Sequence, residues 1–217
     1  MPVTSELILV RHGEANNNVT GTVGGEHGCT GLSPRGRQQV EQVAARLAAE
    51  HRSRPFDVLC GTPRRRVRES IEIIGKALQM PPIIQEDLRG PDHGAADGQP
   101  WTQIKTAFGG PPQHHPDQPY AAGSETWNQY LDRATNALRD ILSRHPEGRI
   151  LIVAHGETIE AAHVLFLQPP ARIRPGIAFV TDHTCISRWQ QQLNRFNRRT
   201  WQLVAHNDTS HLAEHPR

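Results

Sequence analysis

Two stretches of the chain place a histidine and a glycine directly after a run of apolar residues. Leu7–Val10 precedes the triplet Arg11–Gly13, and Ile150–Ala154 precedes His155 and Gly156. A short apolar run without polar alternation is typical of a strand that is buried on both faces. The carboxyl ends of parallel strands meet at one edge of a sheet, where α/β proteins bind ligands. The pattern therefore predicts an arginine and two imidazoles at one edge, with glycines that let the backbone approach a ligand.

The predicted helix that follows the strand at residues 57–60 adds more positive charge. Four arginines lie in its first turns, where the positive end of the helix macrodipole makes cations unfavourable. The cluster indicates that an anion binds nearby, although a solvated basic face would account for some of its members. The four residues are Arg64, Arg65, Arg66 and Arg68.

The elements that must position these residues alternate between strands and amphipathic helices. We expect an α/β, three-layer sandwich with a mainly parallel central sheet and helices on both faces. Residues 1–217 are interpreted as a single domain, which suits this length. The predicted strands lie near residues 7–10, 57–60, 81–85, 150–154, 178–180, 185–189 and 199–205, and the predicted helices near 34–47, 63–78, 124–145 and 158–167.

Three segments lack strong periodicity. Residues 16–31 are rich in Gly, Asn and Thr and are expected to form an irregular loop. Residues 90–123 are rich in Gly, Pro, His and Asp, with a weak helical stretch at 101–108, and are interpreted as a cap inserted over the site. Residues 207–217 form a polar tail that is expected to fray.

Composition excludes several functions. The formal net charge is +2, which gives no field for nucleic acid. No apolar run is long enough to span a membrane, and no signal peptide precedes residue 7, so a cytoplasmic protein is expected. Three dispersed cysteines favour reduced thiols, and the thirteen histidines show no metal-ligand spacing, so no metal or cofactor is expected. The oligomeric state stays open, a homodimer included.

Several motifs together resemble the histidine phosphatase superfamily, whose fold is like that of phosphoglycerate mutase. Arg11–Glu14 with Asn18 resembles its Arg-His-Gly-Glu-…-Asn motif, and Gly31–Gln39 resembles its Leu-Ser-x-x-Gly-x-x-Gln helix start. Gly123–Glu125 with Arg133 is similar to its Gly-Glu-Ser-…-Arg segment, although Ser precedes Glu here. The resemblance covers nearly the whole chain.

The resemblance implies a phosphomonoesterase that works through a phosphohistidine. A phosphate dianion repels nucleophiles until its charge is neutralised, and arginine forks suit that task. His12 would be the nucleophile, Arg11 and Arg66 would bind the phosphoryl oxygens, and His155 would donate a further hydrogen bond. Asn18, with Gly13 and Gly156, would contact the phosphoryl group or substrate, and Glu14 would be structural. His183 would be an ordinary edge-strand histidine, with a position near the pocket rim as the alternative.

One family residue is missing. In many members, the glutamate of a Leu-x-Glu motif protonates the leaving group. The corresponding stretch here is Leu88-Arg89-Gly90, which has glycine in place of the glutamate. Glu157 is the first candidate to replace it, because the inositol polyphosphate branch has an acid two residues past the second histidine. Asp92 is the second candidate, and His93 or Asp97 is the third.

Two other functions remain open on the sequence. A phosphoglycerate mutase would need to retain and return the phosphoryl group, which the missing acid and the divergent cap disfavour. A catalytically weak phosphate-sensing or regulatory module would keep the phosphate pocket without turnover. The preferred substrate is a small phosphorylated metabolite, and residues of the cap would shape the pocket for its leaving group. The cap residues proposed for contact are Asp92, His93, Trp101, Lys105, Phe108, His114 and His115.

Overall fold

The central sheet is mainly parallel, as the strand pattern predicts. The computed structural model describes residues 2–170 and 176–212. The strand order is β3-β2-β4-β1-β5-β6. Strands β3, β2, β4 and β1 are parallel to one another, β5 runs antiparallel to β1, and β6 runs antiparallel to β5. The strands are β1 Val3–Arg11, β2 Val58–Gly61, β3 Ile83–Ile84, β4 Arg149–Ala154, β5 Ile186–Leu193 and β6 Arg199–Asp208.

Helices cover both faces of this sheet. Side chains alternate along a strand, so Leu7 and Leu9 face one layer while Ile8 and Val10 face the other. Helices α5 and α6 pack on the first face, and helices α2 and α3 pack on the second. The predicted three-layer α/β architecture is confirmed. The helices are α1 Asn16–Thr20, α2 Pro34–Ser53, α3 Arg65–Leu78, α4 Trp101–Phe108, α5 Trp127–Arg144 and α6 Gly156–Leu167.

Strands β1 and β4 lie side by side and end together. Leu7 pairs with Ile150 and Arg11 pairs with Ala154 in the parallel register. The residues that follow the two strands therefore emerge at the same edge, and the amide N–H of His12 donates to the carbonyl of Ala154 at 2.9 Å. This register brings the two His-Gly motifs together.

Several local predictions were wrong. The predicted loop at 16–31 is wrong for its first five residues, which form α1, where Asn18 Oδ1 accepts from the Ala15 amide. Residues 21–31 are irregular, as predicted, apart from a single bridge at Thr22. The N-cap of helix α5 is Thr126, whose hydroxyl accepts from the Gln129 amide, and not Ser124. Residues 178–180 form no strand; instead the Phe179 ring packs at 4.4 Å from His163.

The predicted fraying of the tail was also wrong over its first part. β6 continues to Asp208, and a single turn of 3₁₀ helix follows at Ser210–Leu212. Asp208 forms an ion pair with Arg46 of α2, and His211 lies 3.1 Å from the Thr184 hydroxyl. The tail is ordered because these polar residues find partners on the core. Residues 213–217, the rest of the predicted tail, lie outside the described part of the chain.

A buried ion network closes the amino-end edge of the sheet, opposite the His-Gly motifs. Glu6 on β1 is fully buried and accepts hydrogen bonds from Arg149, Arg188 and Gln190. Burial alone would raise the pKa of Glu6, but these hydrogen bonds lower it to about 2. Glu6 therefore stays ionised and holds β1, β4 and β5 together at this end.

Replacing Glu6 should test how much the network contributes. We expect Glu6→Gln to lower the free energy of unfolding by about 3 kcal/mol, because it removes the fully buried one of the two carboxylates that balance Arg149 and Arg188. The measurement is urea denaturation. The matched control is Glu147→Gln, which breaks an exposed pair with Arg199 and should change stability by less than about 1 kcal/mol. Equal effects of the two variants would contradict a stabilising role for the network.

Candidate active site

His12 lies at the carboxyl end of β1 and is buried, with 3% of its surface exposed. Its Nδ1 lies 2.7 Å from the carbonyl oxygen of Gly13, which can only accept a hydrogen bond. Its Nε2 accepts a hydrogen bond from Arg66 Nε at 3.0 Å, because a guanidinium can only donate. Both contacts fix the same tautomer, with the proton on Nδ1. The lone pair of Nε2 therefore points into the site.

Arg66 donates a hydrogen bond to each of the two histidines. Its Nη2 donates to His155 Nδ1 at 3.1 Å, and its Nη1 donates to the carbonyl of Gly24 at 2.6 Å. His155 Nε2 then carries the ring proton and lies 2.9 Å from the Thr62 hydroxyl. The ring centroids of His12 and His155 are 5.4 Å apart. The predicted grouping of these three side chains is what the structure shows.

Arg11 and Asn18 complete the same wall. Arg11 Nη1 donates to the carbonyl of Thr181, while its Nε is buried without a partner among the described residues. Asn18 Oδ1 accepts from the Ala15 amide at 3.0 Å and lies 3.2 Å from His183 Nε2. Because the amide of Ala15 can only donate, the orientation of the Asn18 amide is fixed. Within residues 2–170 and 176–212 its NH₂ group has no acceptor, so it can donate to a ligand.

His183 is closer to the site than its sequence context suggests. Its ring centroid lies 5.9 Å from that of His12. Burial, together with the charge of Arg11, lowers its pKa to about 3, so it stays neutral. The loop that carries His183 contacts the C-terminal tail, because the Thr184 hydroxyl forms a hydrogen bond with His211.

The site keeps both central histidines neutral. Burial is the largest cause, and the charges of Arg66 and Arg11 lower the pKa of His12 further, well below the 6.5 of free imidazole. Burial and the charges of Arg66 and Arg64 lower the pKa of His155 in the same way. A neutral His12 with an unprotonated Nε2 is the form that can act as a nucleophile once Arg66 donates to a ligand instead.

The guanidinium of Arg66 has no carboxylate partner among the described residues. Arg66 is buried, and its three hydrogen-bond acceptors are two neutral imidazoles and a carbonyl. The neighbouring Arg64 differs, because it is buried in ion pairs with Glu26 and Asp92. Arg65 and Arg68, also predicted near an anion, are exposed; Arg65 pairs with Glu69 and Arg68 donates to the Pro63 carbonyl.

A cavity of about 280 Å³ opens beside this cationic wall. Its lining joins the phosphate end to the segment predicted as a cap, mainly α4 and the turn at 111–113. Glu157, at the start of α6, also faces this cavity. The lining residues are Arg11, Asn18, Pro91, His93, Trp101, Lys105, Pro111, Pro112, Gln113, Tyr120, Glu125, Thr126, Trp127 and Glu157.

Gly90 lies where the missing glutamate would act. A Cβ built at this position would lie 3.4 Å from the His155 ring, so a side chain here would project into the site. The loop is anchored by Arg133, which donates to the carbonyls of Asp87 and Arg89 and forms an ion pair with Glu125. The Ser-Glu-…-Arg motif therefore positions this loop.

The candidate acids lie in different surroundings. Glu157 lines the cavity and has no hydrogen-bond or ion-pair partner among the described residues. Asp92 is held in ion pairs by Arg89 and Arg64, and although burial alone would raise its pKa, these arginines lower it. His93 lines the cavity and bonds to Tyr120, and burial lowers its pKa to about 4. Asp97 instead accepts hydrogen bonds from three backbone amides of residues 25–28.

Close packing leaves no room for a side chain at the two predicted glycines, whatever their role in binding. A Cβ at Gly13 would lie 2.4 Å from the Gly36 carbonyl on α2. A Cβ at Gly156 would lie 2.6 Å from the Thr181 hydroxyl. Glu14 accepts a hydrogen bond from the Ser33 hydroxyl at 2.6 Å, next to the start of α2, which agrees with its predicted structural role.

The comparison with known families agrees with this geometry. Residues 7–209 match the family model described as histidine phosphatase superfamily (branch 1). The chain belongs to the histidine phosphatase superfamily. It is 28% identical over 156 residues to an uncharacterized phosphatase, PhoE, of Bacillus subtilis, which covers 71% of this chain and 74% of the relative. It is also 28% identical to a metal-independent phosphoserine phosphatase of Arabidopsis thaliana, over 76% of this chain and 69% of the relative.

Solved structures of this family share the fold. A mycobacterial glucosyl-3-phosphoglycerate phosphatase matches with a TM-score of 0.78 and 20% identity, over 93% of this chain and 98% of that chain. A phosphoserine phosphatase from Entamoeba histolytica matches with a TM-score of 0.76 and 20% identity, over 96% of this chain and 99% of that chain. The family and its phosphatase members together identify this histidine phosphatase superfamily member as a phosphatase.

Other features bear on the expectations about metals, membranes and thiols. Within residues 2–170 and 176–212, no group of three or more His, Cys, Asp or Glu is placed to hold a metal ion. No helix in the same ranges has the length and hydropathy needed to cross a bilayer. All three cysteines are free and buried.

Three residues of the site were not predicted from the sequence, one beside His155 and two in the cavity lining. Thr62 accepts from His155 Nε2, whose proton is placed there by the contact of Arg66 with Nδ1, and Tyr120 and Gln113 line the cavity. Thr62 stands at the carboxyl end of β2, beside β4, so the same edge rule that located His12 could have found it. Nothing in the sequence pattern points to Tyr120 or Gln113, because they lie in the cap.

The neutral state of the histidines can be tested directly. At pH 6.5, where free imidazole is half protonated, ¹⁵N NMR should show neutral rings for His12 and His155. Arg66→Met should raise the pKa of both, because it removes a positive charge that lowers them. Arg68→Met, an exposed site on the same helix, is the control and should leave both signals unchanged. Protonated rings in the wild type at pH 6.5 would contradict the assignment.

Proposed function

We propose that this phosphatase hydrolyses a small phosphorylated metabolite through a phosphohistidine on His12. The observation that carries the proposal is the buried, carboxylate-free guanidinium of Arg66 beside the Nε2 lone pair of His12. Burying a cation without an anion is costly, so such a site favours an anionic ligand. A phosphoryl group bound beside Arg66 would contact both the nucleophile His12 and the guanidinium that neutralises the phosphoryl charge.

In the first step, Nε2 of His12 attacks phosphorus and the bond to the leaving oxygen breaks. Arg66 would exchange the imidazole nitrogens for phosphoryl oxygens as its acceptors, and Arg11 would offer its unpartnered Nε. The free NH₂ of Asn18 would donate a further hydrogen bond. His155 would support the same oxygens, and the Gly13 carbonyl would stabilise the charge that develops on the His12 ring.

Glu157 is the proposed proton donor. Its carboxyl would protonate the leaving oxygen in the first step and take a proton from water in the second, when water attacks phosphorus and the P–N bond breaks. Its place in the cavity lining and its lack of partners support this role over Asp92, which two arginines keep ionised. His93 is neutral and already bonded to Tyr120, which makes it a weaker candidate.

A labelled phosphoenzyme would test the mechanism. After rapid quenching with a ³²P-labelled substrate, the wild type should carry acid-labile, base-stable label. His12→Asn should abolish the label and reduce turnover by at least about 10³-fold, because it removes the nucleophile. His27→Asn, an exposed histidine, is the control and should behave as wild type.

Full activity without label would contradict the phosphohistidine, and labelling without turnover of any substrate would favour the sensing module. Interconversion of 2- and 3-phosphoglycerate at rates above hydrolysis would favour the mutase.

The proton donor can be tested with two leaving groups. Glu157→Gln should reduce kcat/KM for an alkyl phosphate by about 10²-fold or more, because an alkoxide leaves poorly without a proton. The same variant should reduce kcat/KM for p-nitrophenyl phosphate by less than about tenfold, since that leaving group needs little protonation. Asp92→Asn is the matched control. Equal losses on both substrates, or a selective loss in Asp92→Asn, would contradict the assignment.

A further inference from the structure

A short segment before β5 contacts the phosphate end of the site at three points. We call residues 181–184 the rim segment. Two of its contacts come from its backbone and one comes from the imidazole of His183. The three partners are Arg11, His12 and Asn18. These are the nucleophile and two of the groups proposed to bind the phosphoryl oxygens, so the rim segment lies where it can orient them.

The hydrogen bond between His183 and Asn18 has a fixed direction. Asn18 Oδ1 accepts from the Ala15 amide at 3.0 Å, so this end of the carboxamide is the oxygen. His183 Nε2 lies 3.2 Å from the same oxygen and must therefore carry the ring proton. Two donors thus hold Oδ1. Because Asn18 is exposed and lines the cavity, its NH₂ group is the end that is available to a phosphoryl oxygen.

The second donor matters because the two ends of a carboxamide have nearly the same shape. With the Ala15 amide alone, rotation of the Asn18 side chain by half a turn would break a single hydrogen bond. With His183 in place, the same rotation would break two hydrogen bonds and set the NH₂ group against two N–H donors. The rotated amide would also present its oxygen to the phosphoryl oxygens, which would repel it. His183 therefore disfavours the orientation that cannot bind phosphate.

The backbone around His183 is fixed by its neighbour Thr184. Thr184 is fully buried and has a φ of +59°, a left-handed conformation that is strained for a β-branched residue. Its hydroxyl donates to the His183 carbonyl at 2.7 Å. The same hydroxyl can then only accept from His211 Nε2, which lies 3.1 Å away. Both hydrogen bonds hold the strained turn in one conformation.

The C-terminal end of the chain extends this series of hydrogen bonds. With its proton on Nε2, His211 accepts at Nδ1 from Arg46 Nη1 at 3.4 Å. Burial, together with the charge of Arg46, lowers the pKa of His211 to about 4, so the ring stays neutral and keeps this tautomer. Asn207 holds the rim segment separately, through two hydrogen bonds with Asp182. The donors therefore follow one direction from Arg46 on α2 to the amide of Asn18.

We propose that His183 is a positioning residue, which orients the Asn18 carboxamide so that its NH₂ group donates to the phosphoryl oxygens. The proposal rests on the phosphatase mechanism given above and adds a residue that acts through Asn18 without contacting the phosphoryl group. The rim segment and the turn Ser210–Leu212 then support the phosphate end of the site from outside the cavity, whose lining contains neither.

A double-mutant cycle with p-nitrophenyl phosphate tests whether His183 acts through Asn18. We expect His183→Met to lower kcat/KM about tenfold, because the phosphoryl group loses the equivalent of one hydrogen bond. In an Asn18→Ala background the same change should lower kcat/KM by less than about twofold, because the group that His183 orients is gone. His145→Met, at a half-buried histidine shortly before β4, is the control and should behave as wild type. Equal losses in both backgrounds, or no loss in either, would overturn the proposal.

Rescue by glutamine separates orientation from packing. His183→Gln places an amide N–H near the position of Nε2, so its kcat/KM should stay within about threefold of wild type, unlike that of His183→Met. In the wild type at pH 6.5, ¹⁵N NMR should show a neutral His183 ring with its proton on Nε2. Equal activities of the glutamine and methionine variants, or a proton on Nδ1 instead, would overturn the proposal.

Binding of inorganic phosphate keeps this proposal apart from the mechanism on which it rests. The Kd for phosphate, measured by isothermal titration calorimetry, should rise about tenfold in His183→Met, whether or not a phosphohistidine forms. Unchanged phosphate affinity in this variant, with His12-dependent hydrolysis of p-nitrophenyl phosphate by the wild type, would overturn the positioning role and leave the mechanism standing. Weaker phosphate binding in the variant, without His12-dependent turnover by the wild type, would support the positioning role and overturn the mechanism.

Discussion

The structure of the site depends on one arginine that is buried without an anion. Arg66 donates to His12, His155 and the Gly24 carbonyl, and all three acceptors are neutral. Its charge adds to burial in lowering the pKa of both histidines, which keeps them neutral and leaves Nε2 of His12 unprotonated. The unbalanced charge of Arg66 and the unprotonated Nε2 of His12 lie at the same contact. A phosphate group would satisfy the first and react with the second.

The two edges of the sheet use arginine for opposite purposes. At the amino-end edge, Arg149 and Arg188 are balanced by Glu6 and Glu50, and the charges hold strands together. At the carboxyl-end edge, Arg66 has no carboxylate among the described residues, and its charge is available to a ligand. Stability is concentrated at one edge and binding at the other, because a guanidinium that is already paired has little affinity left for phosphate.

The leaving-group end of the site is formed by other parts of the chain than the phosphate end. The Leu-x-Glu position holds Gly90, so the wall beside His155 has no carboxyl there, and Glu157 of α6 faces the same cavity. The rest of this end comes from the cap, whose short helix and proline turns carry Trp101 and Gln113. The phosphate end depends on strand ends that are fixed by the sheet, whereas the cap can change in sequence without disturbing them.

The sequence by itself determined the layered α/β architecture, the convergence of His12, Arg66 and His155, and the absence of the usual acid at Gly90. Apolar runs mark buried strands, and the carboxyl ends of parallel strands meet at one edge. Only the tertiary structure decided the tautomer of His12, the closeness of His183, the order of the tail as far as residue 212 and the contacts of Asp92 and Asp97. These depend on hydrogen bonds between residues far apart in the chain, which no local pattern encodes.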